Sequence, residues 1–368
     1  MLMLTTTSRT RPSDSPSGPS TTIPASRAAY TLFTDAMGTK GRSLRVDQTD
    51  RPAYRPRRTC LSVPGSNPRM IEKAKGLAAD EVFLDLEDAV APDAKAHART
   101  VVAAALAGPG WAGQLRGVRV NDWTTPWTHT DVIDVVSAAG AHLDVVVLPK
   151  VTDAGHVRAL DLLLTQLERV HGLPVGRIGI DAQIEDARGL TNIDAIAAAP
   201  RVQALVLGPA DLMASLNMRT LVVGEQPEGY DVGDAYHHVL MTILIAARAN
   251  GVAAVDGPYL KVRDVEAFRG VAGRSAALGY DGKWVLHPDQ IAAGNEIFSP
   301  RQAEYDRAEL ILEAYAWHTS AAGGARGAVM LGEEMIDEAS RKMALVVAAK
   351  GRAAGMTRTT AAFVPPGS

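Results

Sequence analysis

The chain has 368 residues, 46% of them hydrophobic, with a net charge of −3 and a pI near 6.3. That balance gives no global electrostatic pull toward nucleic acid or an anionic membrane, and no apolar run approaches the roughly 20 residues of a membrane helix. The single cysteine, Cys60, excludes an intrachain disulfide framework and a cysteine-based zinc site, and it suits a reducing cytoplasm.

Residues 1–50 are rich in Ser, Thr, Pro and Arg without a sustained apolar period, which predicts a disordered N-terminal extension. Pro12, Pro16, Pro19 and Pro24 interrupt the amphipathic helix that a transit peptide would need. From Arg57 onward, short β-branched runs alternate with helical patterns, as in a parallel sheet of β-α units. Strands are predicted at 60–64, 82–87, 117–121, 145–150, 178–185, 204–208, 253–256 and 283–287. Helices are predicted near 67–78, 93–107, 131–139, 155–170, 189–198, 233–249, 262–278 and 288–297. Eight strands, each followed by a helix, is the count of a closed (β/α)8 TIM barrel, here spanning 57–298; a doubly wound open sheet is the alternative. Residues 213–231 read as a long loop over one mouth. Residues 299–352 read as a C-terminal helical lid or subunit-swapped arm with a hinge-like run at 321–328, and 353–368 as a flexible tail.

In such barrels the catalytic groups come from the C-terminal ends of several strands. The predicted strands place Asp85, Glu87 and Asp88 at the end of the second, Arg119 and Asn121 at the third, Lys150 at the fourth and Glu185 at the fifth. Asp211 follows the sixth, Asp256 closes the seventh and His287 the eighth. With a side-chain period of two, Asp181, Gln183 and Glu185 share one face. Converging charges cost desolvation unless they are paired or bind something, so one mouth is expected to be a site. Glu185 and Asp211, on adjacent units, suit a hard divalent cation that keeps most of its coordination for water and substrate. The Gly208-Pro209 pair favours a tight turn that aims Asp211 over the barrel. Arg119 is expected to pair with Glu87 and to offer its planar donor fork to a carboxylate or an oxyanion. The first β-α turn presents Arg69 and Lys73 on one face of a helix capped by Ser66 or Asn67, a candidate phosphate contact. Lys150, after Pro149, reads as an ion-pair partner rather than a Schiff-base lysine.

Several motifs, taken together, carry a resemblance. They are Arg57-Arg-Thr-Cys-Leu-Ser-Val-Pro-Gly-Ser-Asn-Pro-Arg69, Phe83-Leu-Asp-Leu-Glu-Asp-Ala-Val-Ala-Pro92, Val118-Arg-Val-Asn121, Gln183-Ile-Glu185, Gly208-Pro-Ala-Asp-Leu212 and Leu286-His-Pro-Asp-Gln-Ile291. Over about 57–350 the sequence resembles the HpcH/HpaI aldolase and citrate lyase β-subunit superfamily. The resemblance implies a (β/α)8 barrel, bound Mg2+ with Mn2+ as a possible substitute, and a homotrimer or dimer of trimers. It also implies reversible carbon–carbon cleavage of a β-hydroxyacyl-CoA thioester in the cytoplasm, with a CoA thioester and a 2-oxo acid as the small-molecule partners.

Carried over by position, Glu185 and Asp211 match the metal ligands, Arg119 the arginine at the acyl centre, and Glu87 with Asp88 the acidic pair beside it. Ser62, Arg69, Lys73, Val255 and Asp256 fall where relatives contact CoA, with Ser62 and Arg69 standing where some carry a tyrosine and a lysine. The run Gly327-Ala-Val-Met-Leu-Gly-Glu-Glu-Met-Ile-Asp337 resembles the C-terminal segment of malyl-CoA and citramalyl-CoA lyases, in which an aspartate from a neighbouring subunit completes the site; Asp337 matches it. The alternatives to a malyl-type lyase are a malyl-CoA thioesterase, a citryl thioester lyase, a CoA-independent aldolase and a non-catalytic CoA-metabolite-binding regulator.

Overall fold

A parallel strand buried on both faces reads as a nearly continuous apolar run, whereas a half-exposed strand alternates. The runs here are of the first kind, and the computed structural model, which describes residues 54–365, closes them into a barrel. The strands are β1 (Thr59–Pro64), β2 (Glu81–Asp85), β3 (Leu115–Arg119), β4 (Val145–Leu148), β5 (Gly179–Ile184), β6 (Val202–Leu207), β7 (Ala253–Asp256) and β8 (Gly282–Val285). They pair in sequence order, all parallel, and β8 returns to β1 with Thr59 opposite Lys283 and Leu61 opposite Val285. That last pairing excludes the open sheet.

The surrounding helices are α1 (Pro68–Lys75), α2 (Lys95–Ala107), α3 (Thr128–Ala139), α4 (Ala154–Val170), α5 (Ala187–Thr191) and α6 (Ile193–Ala197). They continue with α7 (Pro209–Ser215), α8 (His237–Asn250), α9 (Val265–Leu278) and α10 (Asp289–Ile297). The single helix predicted at 189–198 is thus two short ones, meeting at Asn192. Outward-facing Leu61, Val63, Val82, Leu84, Val146 and Ile180 pack under this helical ring. The barrel axis is filled by a separate cluster of Cys60, Phe83, Val147, Ala204, Val206, Val255 and Trp284. Burial pushes the Cys60 thiol well above its ordinary range, so it is an inert part of that core.

Beneath the axial cluster Arg57 closes the N-terminal end of the barrel, donating to Glu81 (3.0 Å), Asp181 (3.1 Å) and Gln203 (3.0 Å). Asp181 therefore shares a face with Gln183 and Glu185, as the alternation requires, but it belongs to the floor. Four residues along β5 is about 13 Å, which carries the ladder from floor to mouth.

After the barrel come α11 (Gln302–Thr319), a hairpin of β9 (Val329–Leu331) and β10 (Glu334–Ile336), and α12 (Glu338–Ala353), packed on α11. The hairpin is not among the predicted elements. Its local signal is Gly332, which takes φ +68° at the first position of the two-residue loop, where a glycine relieves the strain. The tail, expected to be loose, is tied along α11 in its described part. Arg358 pairs with Glu313 at 2.6 Å, the Thr359 N–H donates to Asp306 at 3.1 Å, and Phe363 packs on Trp317 and His318. The disordered extension expected over 1–50 lies outside the described residues. Among the described residues no helix is long and apolar enough to cross a membrane.

Candidate active site

Period-two alternation brings Ser62 of β1, Asp85 of β2 and Arg119 of β3 to the inner face at the C-terminal end of the barrel, with Glu87 just beyond β2. Arg119 is the best-held side chain there. Its Nε and Nη2 donate to the two oxygens of Asp85 at 2.8 and 2.6 Å, a bidentate grip that fixes the plane of the guanidinium. Its Nη1 lies 2.8 Å from Glu87 Oε2, within ion-pair range but off the hydrogen-bonding direction, so that Oε2 is buried without a hydrogen bond. One face of the guanidinium covers the Trp284 ring at 4.9 Å, and Phe83 supports Trp284 edge-on at 5.3 Å. Burial opposes the charge on Arg119, yet Asp85 and then Glu87 carry it above its ordinary value.

The second half of the site is built on β5 and the turn after β6. Glu185 is 3% exposed, and both its oxygens meet neutral donors: the Lys150 N–H at 2.7 Å and the Gln183 side-chain amide at 2.5 Å. Burial, reinforced by the charges of Glu87 and Asp211, pushes its carboxyl up to about 8. Asp211 is exposed in the first turn of α7, which Pro209 opens directly after Gly208. A Cβ at Gly208 would lie 2.3 Å from Glu185 Oε2 and 2.6 Å from Glu185 Cβ, so the bare backbone is what leaves room for the Glu185 side chain where β6 turns into α7. Gly208→Ala is expected to displace Glu185 and to cost roughly 1–3 kcal/mol of stability by overpacking. Divalent-ion affinity, read by calorimetric titration alongside the melting temperature, should fall with it.

These residues fit a divalent cation. Glu185 is a desolvated carboxylate with only neutral donors, electrostatically strained by a second acid, and a dication relieves that strain. Among the described residues no three His, Cys, Asp or Glu side chains form a ready ligand set. Two carboxylates with the remaining positions left to water and substrate is the usual arrangement for Mg2+.

Other predicted residues fall in different places. Asp88, the expected partner of Glu87, is exposed, and the buried acid that joins Glu87 beside Arg119 is Asp85, which the sequence places at the strand end without marking it as part of the site. Lys150 pairs with Glu87 through Nζ, as expected of an ion-pair lysine. Ser62 is half-buried on the inner face of β1. Arg69 and Lys73 are exposed on α1, which Asn67 caps by accepting the Met70 N–H at 3.1 Å, with Pro68 in the first turn. The placement of Asp256 at the mouth is corrected. Val255 fills the barrel axis, so its neighbour points the other way, into the helical layer, where Asp256 pairs with Lys283 at 2.6 Å. Neither the Val255 nor the Asp256 side chain is presented at the mouth. Asp337 caps α12, accepting the Ser340 N–H at 3.0 Å, and is not among the groups that touch Arg119, Glu87 or Glu185 in its own chain.

Residues 58–288 match the family model for HpcH/HpaI aldolase/citrate lyase. The chain is 39% identical over 305 residues to an L-malyl-CoA/β-methylmalyl-CoA lyase of Cereibacter sphaeroides, covering 80% of this chain and 95% of that one. It is 36% identical over 260 residues to a (3S)-malyl-CoA thioesterase of the same species, covering 71% and 83%. Among solved structures it is similar to the protein CitE of Mycobacterium tuberculosis in complex with magnesium, acetoacetate and coenzyme A, at 28% identity and a TM-score of 0.61, covering 82% and 98%. The closed barrel, the clamped arginine and the matched sequence agree: the chain is an enzyme of the HpcH/HpaI aldolase/citrate lyase family.

Proposed function

We propose that the chain reversibly cleaves a β-hydroxyacyl-CoA of malyl, methylmalyl or citramalyl type into acetyl- or propionyl-CoA and glyoxylate or pyruvate, with Mg2+ held by Glu185 and Asp211. The coarser statement, a lyase acting on CoA thioesters, stands on family membership and on the 39% identity to a malyl-CoA lyase over nearly its whole length. The observation that supports the finer reading most is the rigid Arg119, gripped by Asp85 and backed by Trp284 beside the buried carboxylate of Glu185.

Bound at Glu185 and Asp211, Mg2+ supplies a Lewis acid toward the carboxylate and hydroxyl of the acyl group; Mn2+, with the same preference for oxygen ligands, is expected to substitute. Arg119 stabilises the oxyanion of the thioester enolate left when the carbon–carbon bond breaks, and its bidentate clamp means no reorganisation is needed as that charge develops. Glu87 orients Arg119 from the other side. Arg69 and Lys73, beside the N-terminus of α1, take the phosphates of CoA, with Ser62 nearby on β1. Asp337, supplied by a second copy in a trimer or dimer of trimers, takes up the proton that the substrate hydroxyl loses as the carbon–carbon bond breaks and returns it to the enolate carbon; in the reverse direction it removes a proton from acetyl-CoA. The Ser340 N–H holds its carboxyl below the ordinary range, which keeps it a base in the resting enzyme.

Asp337→Asn is expected to keep Mg2+ and CoA binding while losing exchange of solvent deuterium into acetyl-CoA. Undiminished exchange would remove Asp337 from the reaction. A malyl-CoA thioesterase is the second reading, favoured by the 36% identical relative of that activity. Product analysis separates the two: the lyase yields glyoxylate and acetyl-CoA, the thioesterase malate and free CoA.

A further inference from the structure

Among the described residues, Lys150 is bonded both to Glu185 and to the acid beside Arg119. It follows β4 and Pro149, and it is one of four non-glycine residues with positive φ among those described, at +51°. Left-handed backbone at a residue with a side chain is strained and persists where surrounding contacts over-determine it. Here both ends of the residue are engaged: its N–H donates to Glu185 Oε1 at 2.7 Å, and its ammonium donates to Glu87 Oε1 at 2.5 Å.

Glu87 is thereby held between two cations, with Arg119 Nη1 2.8 Å from one oxygen and Lys150 Nζ on the other. Lys150 thus joins Glu87, through its ammonium, to Glu185, through its N–H, while Asp211 stands in the first turn of α7 after the neighbouring β6. Bound by all three carboxylates, a divalent ion would be held tightly, with fewer positions open to substrate. Bound by two, it keeps them.

We propose that Lys150 is a positioning residue that keeps Glu87 turned toward Arg119 and off the metal, so that Glu185 and Asp211 alone supply the protein's ligands. The inference rests on the metal reading given above. It assigns the ammonium a role opposite to that of a structural support: Lys150 limits ion affinity so that the coordination sphere stays open. The backbone N–H has the complementary task of fixing which way Glu185 presents its oxygens.

The test uses Mn2+ as the probe on the full-length, metal-free chain, with affinity from calorimetric titration and bound waters from proton relaxation. Lys150→Met keeps an unbranched side chain one atom shorter and the backbone N–H. It is expected to bind Mn2+ about tenfold more tightly, the size expected on removing a unit charge a few ångströms from the ion in a partly solvated site. It should also retain fewer exchangeable waters on the ion and turn over more slowly. Lys150→Arg should restore an affinity near that of the parent. Unchanged or weakened binding in Lys150→Met overturns the proposal, since that is what loss of a structural support would give. Glu87→Gln reports independently of how well the methionine variant folds: it too removes a unit charge near the ion, so a loss of no more than about tenfold with the number of bound waters unchanged supports Glu87 as a non-ligand, whereas a larger loss, or a water gained on the ion, makes it a ligand and overturns the proposal. Glu185→Gln and Asp211→Asn distinguish failure of the underlying reading. Parent-like Mn2+ affinity in both would overturn the metal site itself, and the inference with it; loss of binding in both, with no tightening in Lys150→Met, overturns the inference alone.

Discussion

Arg119→Lys is expected to lower kcat by about 10²–10³-fold while leaving Mg2+ affinity near that of the parent, because it removes a preorganised donor pair and keeps the charge. The guanidinium makes two bonds to Asp85 and sits over the Trp284 ring at 4.9 Å; an ammonium reproduces neither the paired bonds nor that contact area. The loss should therefore appear in kcat more than in KM. Arg119→Met separates chemistry from stability. Asp85 is 1% exposed, and taking away its cation leaves a buried carboxylate uncompensated, a change that typically destabilises by about 3–5 kcal/mol. The lysine variant should melt well above the methionine variant. If the two are equally active, Arg119 acts as a structural charge and the oxyanion role is wrong.

The second large effect concerns pH. Burial, and then the charge of Glu87, push the Glu185 carboxyl from the ordinary 4.5 up to about 8 in the absence of metal. Between those values the folded chain holds a proton that the unfolded chain has released, so Glu185 lowers stability progressively as pH rises through that window. Metal binding must expel the same proton. Mg2+ affinity is therefore expected to rise about tenfold per pH unit below 8 and to level off above it, with close to one proton released per ion on the acid side. Calorimetric titration in buffers of different ionisation enthalpy reads both quantities. Glu185→Gln should abolish the slope together with most of the affinity. A flat affinity between pH 6 and 8 in the parent would show that Glu185 is already ionised and that its burial is not felt by the ion.

Much of this site is legible in the sequence, for physical reasons that differ by residue. Glu185, Arg119 and Asp211 end or follow strand-length apolar runs, so their placement at one end of the barrel needs only the strand count and the direction of the chain. The eight strands lie within a few residues of their predicted bounds because runs buried on both faces stand out from flanking helical periods. Asp256 misleads because a strand-end position alone does not put a side chain at the mouth. Alternation decides the face, and Val255 on the inner side commits Asp256 to the outer, where Lys283 awaits it. The same alternation puts Trp284 on the axis. Two features have no local sequence signal. That Lys150 adopts φ +51° depends on partners from β2 and β5 that no local pattern reveals. That Asp85 rather than Asp88 grips Arg119 depends on the register of β2 against β3, which sets Asp85 directly opposite Arg119.

The central claim is that this chain makes and breaks a carbon–carbon bond between a CoA thioester and a 2-oxo acid. It is tested most directly by incubating the purified protein with Mg2+, acetyl- or propionyl-CoA and either glyoxylate or pyruvate, and following the thioesters by mass. The account predicts a new thioester whose mass is the sum of the two substrates, formed only when a divalent ion is present. Free CoA accumulating without any such adduct, or an adduct formed equally well in the presence of a chelator, would contradict it.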